Sequence, residues 1–252
     1  MLSVVVITKN EESQLRGCLR SIDWVKDIVV VDAESTDATR EIAREYTDRV
    51  FIRAWPGFGP QKNFGIDQVR TEWVLVVDAD ERVSPELAIE IQQQVERWSP
   101  GDPVAYRVSR RNFFYGQWVR WGGAYPDYQI RLFRKRMAQY NDVEIHENLL
   151  VSGEVGTLQG HLAHYTENQI ADHFKKFGPY TTLAAHEKHK VRSVVRWYHF
   201  VVNPLVVFVK TYLFKKGFRD GVRGGIFAIH AGMYTFVKYV KLREHLQRTH
   251  DR

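Results

Sequence analysis

The sequence predicts an α/β fold, with a Rossmann-like, mostly parallel sheet followed by a basic helical extension. Three observations predict it. Short β-branched runs alternate with helix-patterned segments over the first hundred residues, the pattern of a parallel sheet with crossover helices. One run, Val74-Leu-Val-Val77, ends abruptly in Asp78, Asp80 and Glu81. Beyond Pro103 the alternation stops and the chain becomes aromatic and basic.

Each element follows from its residues. Leu2–Thr8 is near-continuously β-branched, as a strand buried on both faces must be. Ser13–Ile22 is an amphipathic helix, with Leu15, Cys18, Leu19 and Ile22 at helical spacing, so Cys18 reads as a buried structural thiol. Ile28–Val31 is a second buried strand ended by Asp32. Ser35 or Thr36 can cap a helix running to about Tyr46. Val50–Ile52 is a short strand, Gln61–Val69 a helix and Trp73–Val77 a fourth strand. Ser84-Pro85-Glu86 starts a helix to about Trp98, with a cap, a proline in the first turn and an acid near the positive helix end. Tyr106–Val108 and Tyr128–Phe133 read as strands around an aromatic, glycine-rich segment, and from about Ile170 the chain reads as helices.

Composition bounds the function. The 252 residues suffice for one large domain or a domain with an appendage, and 44% hydrophobic with 26% charged residues is globular. The single cysteine excludes an internal disulfide and fits a reducing compartment. The N-terminus opens directly into a strand without a basic leader pattern, so a cytoplasmic protein is expected. Residues 1–103 carry 12 Lys+Arg against 19 Asp+Glu, a charge of −7; residues 104–252 carry 24 against 11, a charge of +13. An acidic first half suits metal-assisted nucleotide chemistry, and a basic second half calls for an anionic partner.

The strand ends carry the chemistry. Open α/β sheets bind ligands at the C-terminal ends of their strands. Aspartates one residue apart at such an end, Asp78 and Asp80, suit Mg²⁺ or Mn²⁺ shared with substrate phosphates. The first strand ends in Thr8, Asn10 and Glu11 and the second in Asp32; these can hold a nucleotide through its base and ribose, or serve as helix caps. No Gly-x-Gly-x-x-Gly follows the first strand and no P-loop occurs, which argues against dinucleotide dehydrogenases and P-loop enzymes.

The series Val4-Val-Val-Ile-Thr-Lys-Asn-Glu11, Val29-Val-Val-Asp-Ala-Glu-Ser-Thr-Asp37 and Val76-Val-Asp-Ala-Asp-Glu-Arg82 resembles the inverting family 2 glycosyltransferases in order and spacing. Gly122–Phe133, His146-Glu147, His164-Tyr-Thr166 and Lys215–Gly225 are similar to the branch holding the lipopolysaccharide core β-1,4-glucosyltransferases. The resemblance implies a glycosyltransferase-A-type fold. It implies an enzyme that moves glucose from UDP-glucose, with inversion, onto a lipid-anchored glycan such as an inner-core heptose. It places Thr8 and Glu11 in a uridine pocket beside Asp32, Asp78 at the ribose and sugar, and Asp80 on the metal. Where many members carry a second acid or a glycine after the equivalent of Asp32, this chain has Ala33 and Glu34.

An inverting transfer needs a base on the acceptor side. Glu147 is the first candidate, with His146 orienting it, and Asp127 is the second. A zinc site at His146-Glu147 fails, since Leu150 stands where the second histidine would be. Arg131 can stabilise the diphosphate or be an ordinary strand residue. The aromatics from Phe113 to Tyr128 are candidates for sugar stacking or for packing. Trp197–Val209 is apolar but too short to span a bilayer, which needs about 20 residues. Flanked by Lys and Arg, it suits the anionic inner face of the cytoplasmic membrane. The expected layout is a catalytic domain over 1–168, with a nucleotide half to residue 100 and an acceptor half from 101, and a membrane-proximal region over 169–252. Rival expectations are the same chemistry on a polyprenyl phosphate or protein acceptor, and a non-catalytic nucleic-acid binder. The rival from another class leaves the strand-end acids unexplained, so nucleic acid is not an expected partner; self-association is compatible with the sequence.

Overall fold

The computed structural model describes residues 1–114, 116–141, 148–167, 170–190 and 194–250. They form two compact units, one of residues 1–110 and 127–164, the other of residues 111–126 and 165–252.

In the first unit the alternation is β1 (Leu2–Thr8), α1 (Glu12–Arg20), β2 (Asp27–Asp32), α2 (Thr39–Arg44), β3 (Val50–Ile52), α3 (Phe58–Gln68), β4 (Trp73–Asp78), β5 (Glu81–Val83) and α4 (Pro85–Arg97). β6 (Ala105–Phe114) follows, then β7 (Gln117–Trp118) of the second unit, β8 (Asp127–Arg134), β9 (Ala138–Tyr140), β10 (Leu149–Val151) and β11 (Val155–Glu167). Among the described residues the main sheet runs β3-β2-β1-β4-β8-β6-β11-β5, with β9 and β10 forming a separate pair.

β1, β2, β3 and β4 are mutually parallel. Their β-branched residues fill both faces. Val4, Val6, Val30, Leu75 and Val77 pack against α1, α2 and α4, while Val5, Ile7, Val31, Val74 and Val76 pack against Ile66 of α3. Each such side chain, fully buried, contributes about 1.5–3 kcal/mol. From β8 onward the pairings are antiparallel. The expected parallel sheet is therefore confined to β1–β4, and the whole sheet is mixed. The physical reason is the connections: among the described residues no α-helix lies between β6 and β8, which pair antiparallel.

Some boundaries differ from expectation. α3 begins at Phe58, three residues early, because Gly57 at φ 119° turns the chain and Pro60 fits a first helical turn. α2 begins at Thr39: Ser35 bonds back to Asp32, and Asp37 Oδ1 accepts from the N–H and Oγ1 of Thr39. β5, β9, β10 and β11 are short or irregular in pattern, and local periodicity did not announce them. α4 starts as expected, with Ser84 Oγ accepting from Leu87 N–H at 3.2 Å.

The second unit holds α5 (Ile170–His189), α6 (Tyr198–Val209), a π-helical turn over Lys210–Phe214, a 3₁₀ turn over Gly217–Asp220 and α7 (Gly221–His250). α7 packs on α6 through His199 and Tyr239, whose rings are 5.0 Å apart, and through Phe200 and Phe236. Gly232 lets the two helices approach closely, since a Cβ there would stand 3.2 Å from the Pro204 carbonyl oxygen. Asp220 accepts from the backbone N–H groups of Arg120 and Trp121, at 3.1 and 2.7 Å. The aromatic segment is internally engaged: Phe113 stacks on Tyr165, Arg111 lies over Trp118 and Arg219 over Trp121. Among the described residues no helix is long and apolar enough to cross a membrane.

Candidate active site

The parallel strands deliver their polar ends to one edge of the sheet. Register pairs Thr8 with Asp32 and Ile7 with Asp78, so the ends of β1, β2 and β4 are neighbours.

Asp32 is fully buried. Its carboxylate accepts from Thr8 Oγ1 at 3.0 Å, Ser35 N–H at 2.9 Å and Ser35 Oγ at 2.5 Å. Asn10, at φ 54°, ties the two loops together. Its N–H donates to Ser35 Oγ and its Oδ1 accepts from Thr36 N–H, both at 2.8 Å. Glu11 N–H donates to Thr39 Oγ1 at 2.8 Å. These bonds tie the loops after β1 and β2 together, and none of Asn10, Ser35 and Thr36 caps a helix.

At the end of β4 the charges form a chain. Arg131 Nη2, on β8, donates to Asp78 Oδ2 at 2.5 Å and to Glu81 Oε1 at 2.7 Å. Lys62, on α3, brings its Nζ to 3.2 Å from Asp78 Oδ1. The Asp78 N–H donates to Glu81 Oε2 at 3.0 Å. Arg110 Nη1 lies 3.5 Å from Glu81 Oε1, and the same guanidinium donates to Asp127 Oδ2 from Nε at 2.9 Å and Nη2 at 2.6 Å. Gln129 Nε2 donates to Asp127 Oδ1 at 3.0 Å. Lys62 and Arg131 are 2% and 4% exposed and Glu81 is fully buried, so these charges must be paired. Burial alone would raise the Asp78 pKa, but the charges of Arg131 and Lys62 outweigh it and hold the carboxyl far below its usual range. Burial opposes the charge on Arg131, yet Asp78 and Glu81 prevail and keep it a cation.

Asp80 brings Oδ2 to 3.4 Å from His164 Nε2. Its side chain is 17% exposed and that of Asp78 26%, with the Asp78 oxygens facing Arg131 and Lys62. Mg²⁺ and Mn²⁺ are commonly held by one or two carboxylates plus substrate phosphates, and the Asp80 carboxylate fits that role. Among the described residues no group of three metal-ligating side chains occurs.

Of the expected site residues, Thr8, Asn10, Glu11, Asp32, Asp78, Asp80, Asp127 and Arg131 all lie in the first unit. His146 and Glu147 lie outside the described residues. Sequence reasoning missed Lys62 and Arg110. The available signal was weak: Lys62 falls among α3 residues that face the sheet, where an unpaired lysine would be costly.

Residues 3–149 match the profile of Glycosyl transferase family 2. The chain belongs to that family. As a family 2 glycosyltransferase it is a nucleotide-sugar transferase. It is 28% identical over 248 residues to the lipopolysaccharide core biosynthesis glycosyltransferase LpsC of Rhizobium meliloti, covering 96% of this chain and 91% of that one. A glycosyltransferase of Rickettsia typhi is 27% identical over 96% of this chain and 87% of its own length. Among solved structures, residues 1–349 of S. aureus TarS in complex with UDP superpose with a TM-score of 0.50 at 14% identity, covering 98% of this chain and 91% of that one. That likeness concerns the fold, the glycosyltransferase-A type with parallel strands leading into an antiparallel half. Open α/β sheets bind ligands at the carboxyl ends of their strands, which here is the edge where β1, β2 and β4 end.

Proposed function

We propose that this family 2 transferase moves glucose from UDP-glucose, with inversion, onto a hydroxyl of a lipid-anchored glycan of the lipopolysaccharide inner-core type. It would work as a peripheral protein on the cytoplasmic face of the inner membrane. The observation that carries the reading is the charge chain Lys62–Asp78–Arg131–Glu81–Arg110–Asp127 at the strand ends. The similarity to LpsC along nearly the whole chain supports the acceptor class.

In this reading Thr8, Asn10, Glu11 and Asp32 shape the pocket for uridine. Asp78, fixed by Arg131 and Lys62, faces the ribose and sugar. Asp80 holds Mg²⁺ or Mn²⁺, which when bound neutralises charge on the diphosphate. Lys62 and Arg131 add fixed positive charge beside the leaving group, in a setting where little solvent must reorganise. The acceptor oxygen attacks C1 from the face opposite UDP. As the new C1–O bond forms, the bond to the diphosphate breaks and the acceptor proton passes to a carboxylate.

Two carboxylates are candidates for that proton. Glu147 is the base the sequence favours. Asp127 is the alternative, favoured by its fixed place at the end of the charge chain. Turnover lost in Glu147→Gln with donor binding intact assigns the base to Glu147; the same result in Asp127→Asn, with near-normal turnover in Glu147→Gln, assigns it to Asp127.

The deciding test is thermal stabilisation by UDP and UDP-glucose with Mn²⁺ or EDTA, because a ligand of the folded state raises the midpoint by mass action. Stabilisation that needs the metal and disappears in Asp80→Ala is the expected result. No response to any nucleoside diphosphate or its sugar would overturn the reading.

A further inference from the structure

The second unit displays apolar side chains that a water-soluble surface does not require. Val202, Leu205 and Val206 on α6 are 42, 59 and 54% exposed. With Val201 they recur at helical spacing along α6, whose His199 is buried. The π-helical turn continues the surface with Leu213 and Phe214, the latter 80% exposed, and Val222 at the start of α7 is 81% exposed. Along α7, Ile229, Met233, Phe236 and Val240 are exposed at spacings of three and four. Trp197, 72% exposed, and Tyr198 stand at the other end of α6. Exposed large apolar side chains in this number mark an interaction site.

Charge selects the partner. Between Glu187 and Asp220 the chain has eight Lys and Arg and no Asp or Glu. Lys210, Lys215, Lys216 and Arg219 adjoin the exposed Leu213 and Phe214, and Arg196 adjoins Trp197. A second copy of the same surface would bring like charges together around the apolar residues. An anionic bilayer offers acyl chains to the apolar side chains and phosphates to the cations, with Trp and Tyr at the headgroup level.

We infer that α6 and the Lys210–Phe214 turn are a wedge lying flat in the headgroup region of an anionic lipid leaflet, with Val202, Val206, Leu213 and Phe214 entering the acyl boundary. α6 has only 12 residues, so it lies in the surface and does not cross it. Pro204 within α6 and the π-helical turn at its end adapt the helix to that position. The inference deepens the lipid-anchored acceptor of the reading above and rests on it for its purpose, since it would hold the enzyme on the leaflet that carries the substrate.

The test is co-sedimentation of the full chain with phosphatidylglycerol–phosphatidylethanolamine vesicles, against phosphatidylcholine vesicles, at low and high salt. The expected result is binding to the anionic vesicles that weakens with salt. Val206→Glu with Phe214→Glu should reduce it by on the order of tenfold or more. Lys210→Gln with Lys216→Gln should reduce it by about fivefold or more, with loss of salt dependence. These side chains are exposed, and an unchanged thermal midpoint together with unchanged stabilisation by UDP will show that each variant is folded. Wild-type protein that stays in the supernatant with anionic vesicles at low salt overturns the inference. So does a dimer in sedimentation equilibrium that the Val206→Glu, Phe214→Glu pair dissolves while vesicle binding is untouched, because the surface then belongs to a second copy. Vesicle binding that persists with no response to UDP-sugars supports the wedge and counts only against the proposed transfer.

Discussion

Arg131 donates through one nitrogen to both Asp78, at 2.5 Å, and Glu81, at 2.7 Å. A strand from the second half of the sheet thereby holds the acidic loop that ends the fourth strand. Arg131 lies 53 and 50 positions from Asp78 and Glu81 in sequence, yet their charges are meaningful only together. Loss of Arg131 leaves Asp78 with Lys62 and Glu81 with Arg110 at 3.5 Å, each short of its nearest cation.

Arg131→Met should therefore destabilise the fold by about 3–5 kcal/mol, the usual consequence of removing one member of a buried ion pair. Urea denaturation measures it. Arg131→Lys should recover part of the stability, because a point charge can replace only part of what the guanidinium fork contacts. A loss under 1 kcal/mol in Arg131→Met would mean that Asp78 and Glu81 find other partners.

Asp80→Asn should change the urea midpoint little, since the substitution is isosteric and the side chain is partly exposed. It should lower turnover with a nucleotide sugar on the order of 100-fold, the scale of a lost contact to the metal that stabilises a leaving diphosphate. Steady-state kinetics across a Mn²⁺ titration separates this from a folding defect. Wild-type turnover at every metal concentration would remove Asp80 from the site.

Gly65 sits where α3 meets the sheet, and a Cβ there would stand 2.4 Å from Val5 Cγ1 and 3.1 Å from Val31 Cγ2. Gly65→Ala should push α3 outward and cost about 1–3 kcal/mol by overpacking. The same displacement withdraws Lys62 from Asp78, so donor binding should weaken as well. Isothermal titration with UDP would detect it. Gly65→Ala with unaltered stability and donor affinity would show that the interface yields without moving Lys62.

Part of the acid sensitivity should arise at the end of the sheet opposite the site, beside what Asp78 contributes there. Asp27 is partly buried, which by itself would raise its pKa, but Ser3 Oγ at 2.5 Å, Arg70 N–H at 3.2 Å and the Arg49 guanidinium hold it below the ordinary value of 3.8. A depressed folded-state pKa gives stability that is present above 3.8 and lost as pH falls through the lower folded value. Asp27→Asn should therefore flatten the pH dependence of the urea midpoint below about pH 4, while other carboxylates retain theirs. An unaltered slope would locate the acid sensitivity elsewhere.

Much of the first half of the fold was legible because its evidence is local. The β-branched runs of β1, β2 and β4 cannot be exposed on either face, and the helices between them have amphipathic spacing or a clear cap, as at Ser84. The antiparallel half was less legible. β6 extends well beyond the expected Tyr106–Val108, and β11 was not anticipated, because their residues mix Arg, Asn, Gly and His with apolar ones. Strand assignment there depends on neighbours, since what is measured as β-propensity is largely packing against the adjoining strands.

The candidate site divides in the same way. The sequence alone determined that Thr8, Asp32, Asp78 and Asp80 stand at strand ends, because an apolar run that stops in an acid must stop where burial stops. It also determined the family, since those short motifs recur in order. Only the tertiary structure decided which cations meet those acids. Lys62 and Arg131 reach Asp78 because α3 packs on the sheet at Gly65 and because β8 lies antiparallel beside β4, with Leu132 opposite Leu75. Local periodicity does not encode which strand lies beside which. That choice is made by burial and pairing summed over the whole sheet, and it sets the electrostatics of the strand ends.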